Sequence, residues 1–570
     1  MVALPAPISN ANRAKNILHA WLGSRWLWLG MAVLVGIAVA ALPLQASLLQ
    51  ASLLTVAVLA GGICLLIEPL NAVAIAVVFG LFRALLAQRQ AWIPDLGQVG
   101  FVLILAVYTL RTLATRRTPL PRTAIQALLP LILPALLWLS IATLSLWGAD
   151  DLPNGIKELL KWSQTLLLMA LLTGEIAQHP RKVWYVLGIA LLAGLVQAGW
   201  GIYQFVLRGH GPEHFFISPG LYRAYGSFHQ PNPYGGFLGM AWTLAAGVAF
   251  GFATSALTRI WKSRSLFLTR QTIQELLAML AFAAIAGILL VGLFASYSRG
   301  AWLGAVGAVA CMAFFGYVTQ FRTTQPIPNT AGNCSFFLKE QSANLTRVEY
   351  NPKEQAPSSD LPNIPRQWWL VPLVVMGIGV GGLALWQTGN LPASLVSRIS
   401  QLGEFVQVYD VRGVGLNNAN FSLVERIAHW QAGLGMANAH PWLGVGIGNY
   451  DAAYEHFRLL NWKASLGHAH NIYINTLAET GLLGLTAYLI FWFVVGAYTV
   501  NQIARLSGWQ RGLALGLLGV WAHISVHHLV DNLYVNNLHL YLGVCFALLA
   551  SLPSLNYAYK SSSTVSNEKN

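Results

Sequence analysis

Two histidines, His468 and His470, stand two residues apart in Ser465–Leu485, SLGHAHNIYINTLAETGLLGL, where a polar segment runs into an apolar helix. A neutral imidazole near pH 7 takes a proton from a hydroxyl, and such general-base help is worth about 10²–10⁴-fold in rate. Two arginines have comparably unusual settings. Arg223 lies in Leu221–Gly239, LYRAYGSFHQPNPYGGFLG, where two prolines bar a regular helix ahead of the next apolar run. Arg299 lies in Ala295–Gly304, ASYSRGAWLG, between apolar runs joined by too few residues to leave the membrane surface. Guanidinium binds phosphate oxygens in pairs and keeps its charge. Arginines and a histidine on one membrane face therefore suit transfer of a sugar from a lipid diphosphate to a hydroxyl. The arginines stabilise the departing diphosphate, the imidazole takes the proton, and neither a metal nor a cofactor is needed.

Other polar groups share that face. The loop 397–470 holds Arg398, Arg412, Glu425, Arg426, His429, His440 and Arg458, with Glu425 and His429 spaced to pair along one helix face. Trp521–His539, WAHISVHHLVDNLYVNNLH, carries His523, His527, His528, Asp531 and His539. None of these has an acidic or cysteine partner at a strong metal-ligand spacing, so no metal site is expected; His527 and Asp531, four apart, suit a supporting contact. GVGIGNY (444–450) has no βαβ unit around it, so it is expected to be a close-packing turn and not a dinucleotide loop.

What must position these groups is a set of membrane helices. Of the 570 residues, 56% are hydrophobic and only 9% charged, with mean hydropathy +0.55. A soluble domain carries roughly 25% charged residues, so most of this surface meets another solvent. Recurrent apolar runs predict an all-α polytopic membrane protein, since backbone groups in lipid must be satisfied internally. About fourteen spans are expected, at 26–45, 47–67, 70–87, 98–114, 126–148, 156–174, 183–206, 234–254, 275–297, 301–318, 368–387, 471–499, 511–530 and 537–553. Most of the 34 basic residues then fall on segments that alternate to one side, which makes both termini cytoplasmic. The net charge of +14 is accordingly a topology signal and not a nucleic-acid footprint. The four cysteines are too few to suggest a disulfide framework, and no cleavable leader is expected ahead of the first apolar run.

The expected organisation is a cytoplasmic tail at 1–24, helices over 25–318, a disordered cytoplasmic insertion at 319–367, and one helix at 368–387. A folded helical outer loop follows at 388–470, then helices over 471–553 and a cytoplasmic tail at 554–570.

RAYGSFHQPNPYGG, SYSRGAWLG, HPWLGVGIGNY and HAHNIYINTLAETGLLGL, in this order, resemble the O-antigen ligase and polymerase superfamily over roughly residues 180–550. The resemblance implies a GT-C-like fold with a large helical extracytoplasmic loop. It also implies metal-independent transfer of a glycan from an undecaprenyl-diphosphate carrier to a lipid or glycan acceptor, at the periplasmic face of the bacterial inner membrane. By the same resemblance Arg223 and Arg299 hold the diphosphate, with Arg426 as a further basic residue. His470 is the base, His468 being the alternative, and Glu479 has a structural part. The superfamily also contains glycan polymerases and a cyanobacterial branch once proposed to carry bicarbonate. Both are alternative readings, the second expecting arginines near the bilayer midplane on broken helices.

Overall fold

A computed structural model describes residues 68–89, 95–116, 118–263, 268–322, 388, 410–417 and 420–567. The expected helices at 26–45, 47–67 and 368–387, the tail 1–24 and nearly all of 319–367 lie outside the described residues. The fold is all-α and polytopic. Its helices are α1 Leu70–Ala74, α2 Arg83–Arg89, α3 Leu96–Thr115, α4 Arg122–Leu144, α5 Leu152–Gln178, α6 Val183–Ile202 and α7 Pro231–Ser263. They continue with α8 Arg270–Ala295, α9 Arg299–Arg322, α10 Phe421–Ala439, α11 Tyr450–Phe457, α12 Ile472–Arg505, α13 Gly508–His527 and α14 Leu538–Asn567. Short π-helical segments, Ile75–Phe79 and Tyr203–Leu207, extend α1 and α6. A small hairpin pairs Phe216–Ser218 with Leu221–Tyr222.

Local chemistry sets where the helices begin. Asp95 accepts from Gly97 N at 2.9 Å to cap α3, and Asp151 accepts from Asn154 N at 3.1 Å to cap α5. Asn471 caps α12 by accepting from Tyr473 N at 2.9 Å and Ile474 N at 3.1 Å. Eight helical stretches among the described residues are long and apolar enough to cross a membrane. The helices α5 and α13 are long enough but less apolar, because they carry polar side chains inward.

The tightest crossing joins α7 to α13. Gly247 and Gly251 on one helix face Gly508, Gly512 and Gly516 on the other, so a Cβ on Gly247 would lie 2.3 Å from Gly516 N. In lipid no hydrophobic force drives helices together, and small residues let backbones approach instead. On the far side α4, α5 and α12 meet through aromatic edges, with Trp138 and Tyr488 ring centres 5.4 Å apart.

Two expected elements differ. The run 70–87 is broken at Gly80–Phe82, where Gly80 packs against Gly97 and its carbonyl accepts from Asn537 Nδ2 at 3.0 Å. The last helix continues past Pro553 to Asn567, where a tail was expected from 554. A single proline removes one ladder bond, and propagation restores one bond per further residue.

The two ends of the bundle are chemically unlike. One end gathers Arg111 against Glu175 at 3.2 Å, Lys182 against Glu68 at 2.7 Å, and Arg259 against Glu275 at 2.9 Å. There too Arg511 Nη2 donates to the Gly316 carbonyl at 2.9 Å. The other end gathers the loops before α5, α7, α9, α12 and α14, and it holds the candidate site.

Candidate functional site

Arg223 follows the hairpin and is fixed from three sides. Its N–H donates to Phe215 O at 2.9 Å, its Nε to Ser296 O at 2.9 Å, and its Nη2 to Asn232 Oδ1 at 3.3 Å. Arg299 is the first residue of α9, behind a turn built from two hydroxyls. Ser296 Oγ accepts from Ser298 N at 3.1 Å, and Ser298 Oγ from Ala301 N at 3.3 Å. Tyr297 in that turn has φ 49°, a left-handed setting that costs about 1–3 kcal/mol and persists only where its surroundings impose it. Arg299 is only 9% exposed, and its Nη2 lies 3.4 Å from Ser422 Oγ. Arg426, one turn on along α10, donates to the Ser422 carbonyl at 3.0 Å. The three guanidiniums, with Asn232, Tyr297 and Asp531, line a cavity of about 70 Å³.

Glycines in the two arginine-bearing motifs bring α13 up to this cavity. A Cβ on Gly300 would lie 2.6 Å from His527 Cδ2, and one on Gly304 would lie 2.9 Å from His523 Nδ1. The buried imidazoles of His527 and His523 fill the space that side chains would otherwise take.

His470 lies beside Asp531, with its Nδ1 3.5 Å from Asp531 Oδ1. Its backbone is left-handed, φ 52°, and its N–H donates to His468 Nδ1 at 3.0 Å. These contacts assign protons. His468 Nδ1 accepts, so a neutral His468 carries its proton on Nε2 and presents a donor. His470 turns Nδ1 to a carboxylate, so its proton belongs there and the Nε2 lone pair is left to accept. Burial pushes His468 down to about 4, with the His470 and Arg426 charges lowering it further and Asp531 opposing them. Burial acts to raise the Asp531 carboxyl, but its contact with His470 and the charges of His470, His468 and Arg426 outweigh that. It is held well below the usual carboxylate range.

His468, His470 and Asp531 bring three ligating atoms within 4.8 Å of one another, the one such cluster among the described residues. His470 Nδ1 is turned to Asp531 Oδ1 and His468 Nδ1 accepts from His470 N, which leaves the Nε2 of both imidazoles and the second carboxylate oxygen uncommitted.

A second cavity, about 270 Å³, opens on the other side of this segment. His468 and Asn532 face it, whereas Asp531 faces the arginines. Its walls come from α4, α5, α12 and the turn 444–450. Gly444, with φ 67°, lets that turn press on α12; a Cβ there would lie 2.4 Å from the Glu479 carbonyl carbon.

Residues 283–489 match the family model described as O-antigen ligase. Over this stretch the chain is similar to the O-antigen ligase family. The matched stretch runs from the middle of α8 into α12 and contains Arg299, Arg426, His468 and His470. Arg223 and Asp531 lie outside the matched stretch, yet fold onto it at the arginine cavity. The O-antigen ligase match supports a membrane protein of glycan processing, in a family of glycosyltransferase-like enzymes that work on lipid-linked glycans. No curated protein matches the chain.

Arg223, Arg299 and Arg426 thus share one cavity and His468 faces the other, whereas His470 lines neither and stands behind Asp531, which it contacts at 3.5 Å. Glu479 is buried, and its Oε1 accepts from Tyr450 N at 3.2 Å. The expected pairing of His527 with Asp531 does not form; the helix ends at His527, and the chain turns Asp531 to His470. Nor do Glu425 and His429 form an ion pair among the described residues. His429 is fully buried against Tyr454 and His470, with ring centres 5.0 and 5.7 Å away. Burial, then the His470 and His468 charges, push it down to about 3. Asp531 is the residue of this candidate site for which the sequence suggests a different partner from the one it meets.

Proposed function

We propose that this chain transfers a glycan from a polyprenyl-diphosphate carrier to an acceptor hydroxyl at the outer face of the bacterial inner membrane. The observation that carries the reading is the arginine cavity whose one carboxylate, Asp531, also holds His470. Arg223, Arg299 and Arg426 bind the diphosphate and stabilise the charge that grows on it as it leaves. The acceptor oxygen attacks the anomeric carbon, and the bond from that carbon to the phosphate oxygen breaks with its electron pair going to the diphosphate. The acceptor proton moves to His470 Nε2, and Asp531 stabilises the imidazolium that forms. His470 is preferred to His468 as base because His468 Nδ1 is already engaged and its Nε2 carries the proton.

The sidedness rests on charge. Arg111, Lys182, Arg259 and Arg511 lie at the end of the bundle away from the cavity, and basic residues favour the cytoplasm. Ligase and polymerase differ here only in whether the acceptor is a lipid core or another glycan.

The test uses the full chain in lipid nanodiscs with a polyprenyl-diphosphate-linked oligosaccharide. His470→Ala should retain the lipid diphosphate and lose transfer, whereas Arg299→Ala should lose retention. A His470→Ala protein that transfers at the parental rate would overturn the assignment.

A further inference from the structure

The second cavity, on the far side of the His468–His470 segment, has no part in holding a diphosphate, and its chemistry is the reverse of the arginine cavity. Among the described residues the carboxylates of Glu158 and Asp451, with the buried carboxyl group of Glu479 behind them, line it against the ammonium of Lys161, which pairs with Glu158 at 2.5 Å. Trp138, Trp162 and Tyr534 supply an aromatic wall, with the Trp162 and Tyr534 ring centres 5.3 Å apart. The amides of Asn154, Asn475 and Asn532 and the Nε2–H of His468 add neutral donors and acceptors. At about 270 Å³ it approaches the size of small-molecule pockets, about 300–1,000 Å³. Aromatic rings beside acids and amides suit a pyranose, whose C–H face packs on a ring while its hydroxyls find polar partners. Net negative walls repel phosphate and carboxylate groups and attract ammonium.

We propose that this cavity holds the acceptor, a saccharide unit that is uncharged or carries an amino group. The inference rests on the transfer reaction proposed above for its assignment to the acceptor and not the donor. Displacement at an anomeric carbon brings the nucleophile in opposite the leaving group. The leaving diphosphate lies on the Asp531 side of the segment, so the incoming hydroxyl arrives from the side that His468 and Asn532 face. His468 donates to an acceptor oxygen and orients it, while His470 removes the proton of the attacking hydroxyl.

Binding is measured without transfer. The full chain in nanodiscs is titrated, by tryptophan fluorescence and by calorimetry, with tetrasaccharides of glucosamine, glucose and galacturonate. The glucosamine and glucose tetramers should bind saturably and the galacturonate tetramer at least tenfold more weakly. Glu158→Lys should shrink or invert that ratio, and Glu158→Gln should reduce it, with thermal unfolding of both variants near parental. Undecaprenyl diphosphate should bind alongside the saccharide, and Arg299→Ala should remove the lipid and spare the sugar. Absence of saturable saccharide binding would overturn the cavity assignment. So would a galacturonate preference in the parent chain, or a ratio unmoved in Glu158→Lys. Displacement of the sugar by undecaprenyl diphosphate would return both to one donor site and refute a separate acceptor cavity. If saccharides bind and undecaprenyl diphosphate does not, the diphosphate reading falls while the saccharide cavity stands.

Discussion

Replacing Asp531 by Asn keeps the shape of the side chain and removes one charge, 3.5 Å from His470 Nδ1. Two independent lines set the size of the effect. At 3.5 Å and an effective dielectric near 20, a carboxylate stabilises the forming imidazolium by up to about 5 kcal/mol, which is between 10³ and 10⁴ in rate. Separately, the Asn amide can donate to Nδ1, which moves the neutral proton to Nε2 and leaves the base unable to accept. A swap of this kind in a hydrolase triad costs about 10⁴. Both lead to a fall of roughly 10³–10⁴ in single-turnover transfer of a lipid-linked glycan in nanodiscs. Retention of undecaprenyl diphosphate should be unchanged or tighter, because the one carboxylate that lines the arginine cavity among the described residues has gone. The loss therefore falls on transfer while lipid retention is kept, and a general loss of folding would lower both together. Transfer by Asp531→Asn within tenfold of the parent would refute the reasoning.

Arg299→Lys keeps a charge but loses the paired donors, and should weaken lipid-diphosphate retention about tenfold or more with an unchanged melting temperature. Equal retention would show that the guanidinium shape is not used. Gly300→Ala puts a Cβ 2.6 Å from His527 Cδ2 and should cost about 1–3 kcal/mol of stability, visible as a lowered midpoint of thermal unfolding in detergent. His468 is held down to about 4 in the fold, so its contribution to stability is whole above the ordinary histidine value of about 6.5. That contribution is lost as pH falls from about 6.5 toward 4, where the unfolded imidazole takes up a proton that the folded one refuses. His468→Gln should flatten the slope of melting temperature against pH across that window, and an unaltered slope would count against it.

The arginines and the histidine pair stood out in the sequence because each interrupts an apolar run with residues that a plain span has no use for. Asp531 is equally visible there, but its helical spacing from His527 suggests a local pairing. Only the end of α13 at His527 turns it toward His470. The break after Gly80 was hidden because its cause, the Asn537 amide, comes from the far end of the chain. The second cavity was hidden for a related reason. Glu158 and Lys161 stand inside the expected span 156–174, while Trp138, Trp162 and Tyr534 look like any aromatic residue packed in a core. Helix existence follows from local composition, whereas which residues share a wall depends on how distant helices cross.

The helix α12 is continuous in outline but opens at Gly481, with φ 66° and ψ −168°. The amides freed there are taken up by another segment: Leu482 N donates to Pro441 O at 2.8 Å and Leu483 N to Trp442 O at 3.3 Å. In return Val445 N and Gly446 N donate to the Ala478 and Glu479 carbonyls at 3.0 and 2.9 Å. The first turns of α12, which carry Asn475 and Glu479 to the larger cavity, are thus stitched to the 440s. A tilt of the membrane-crossing remainder to suit a thinner or thicker bilayer would turn about Gly481 and leave these first turns stitched in place.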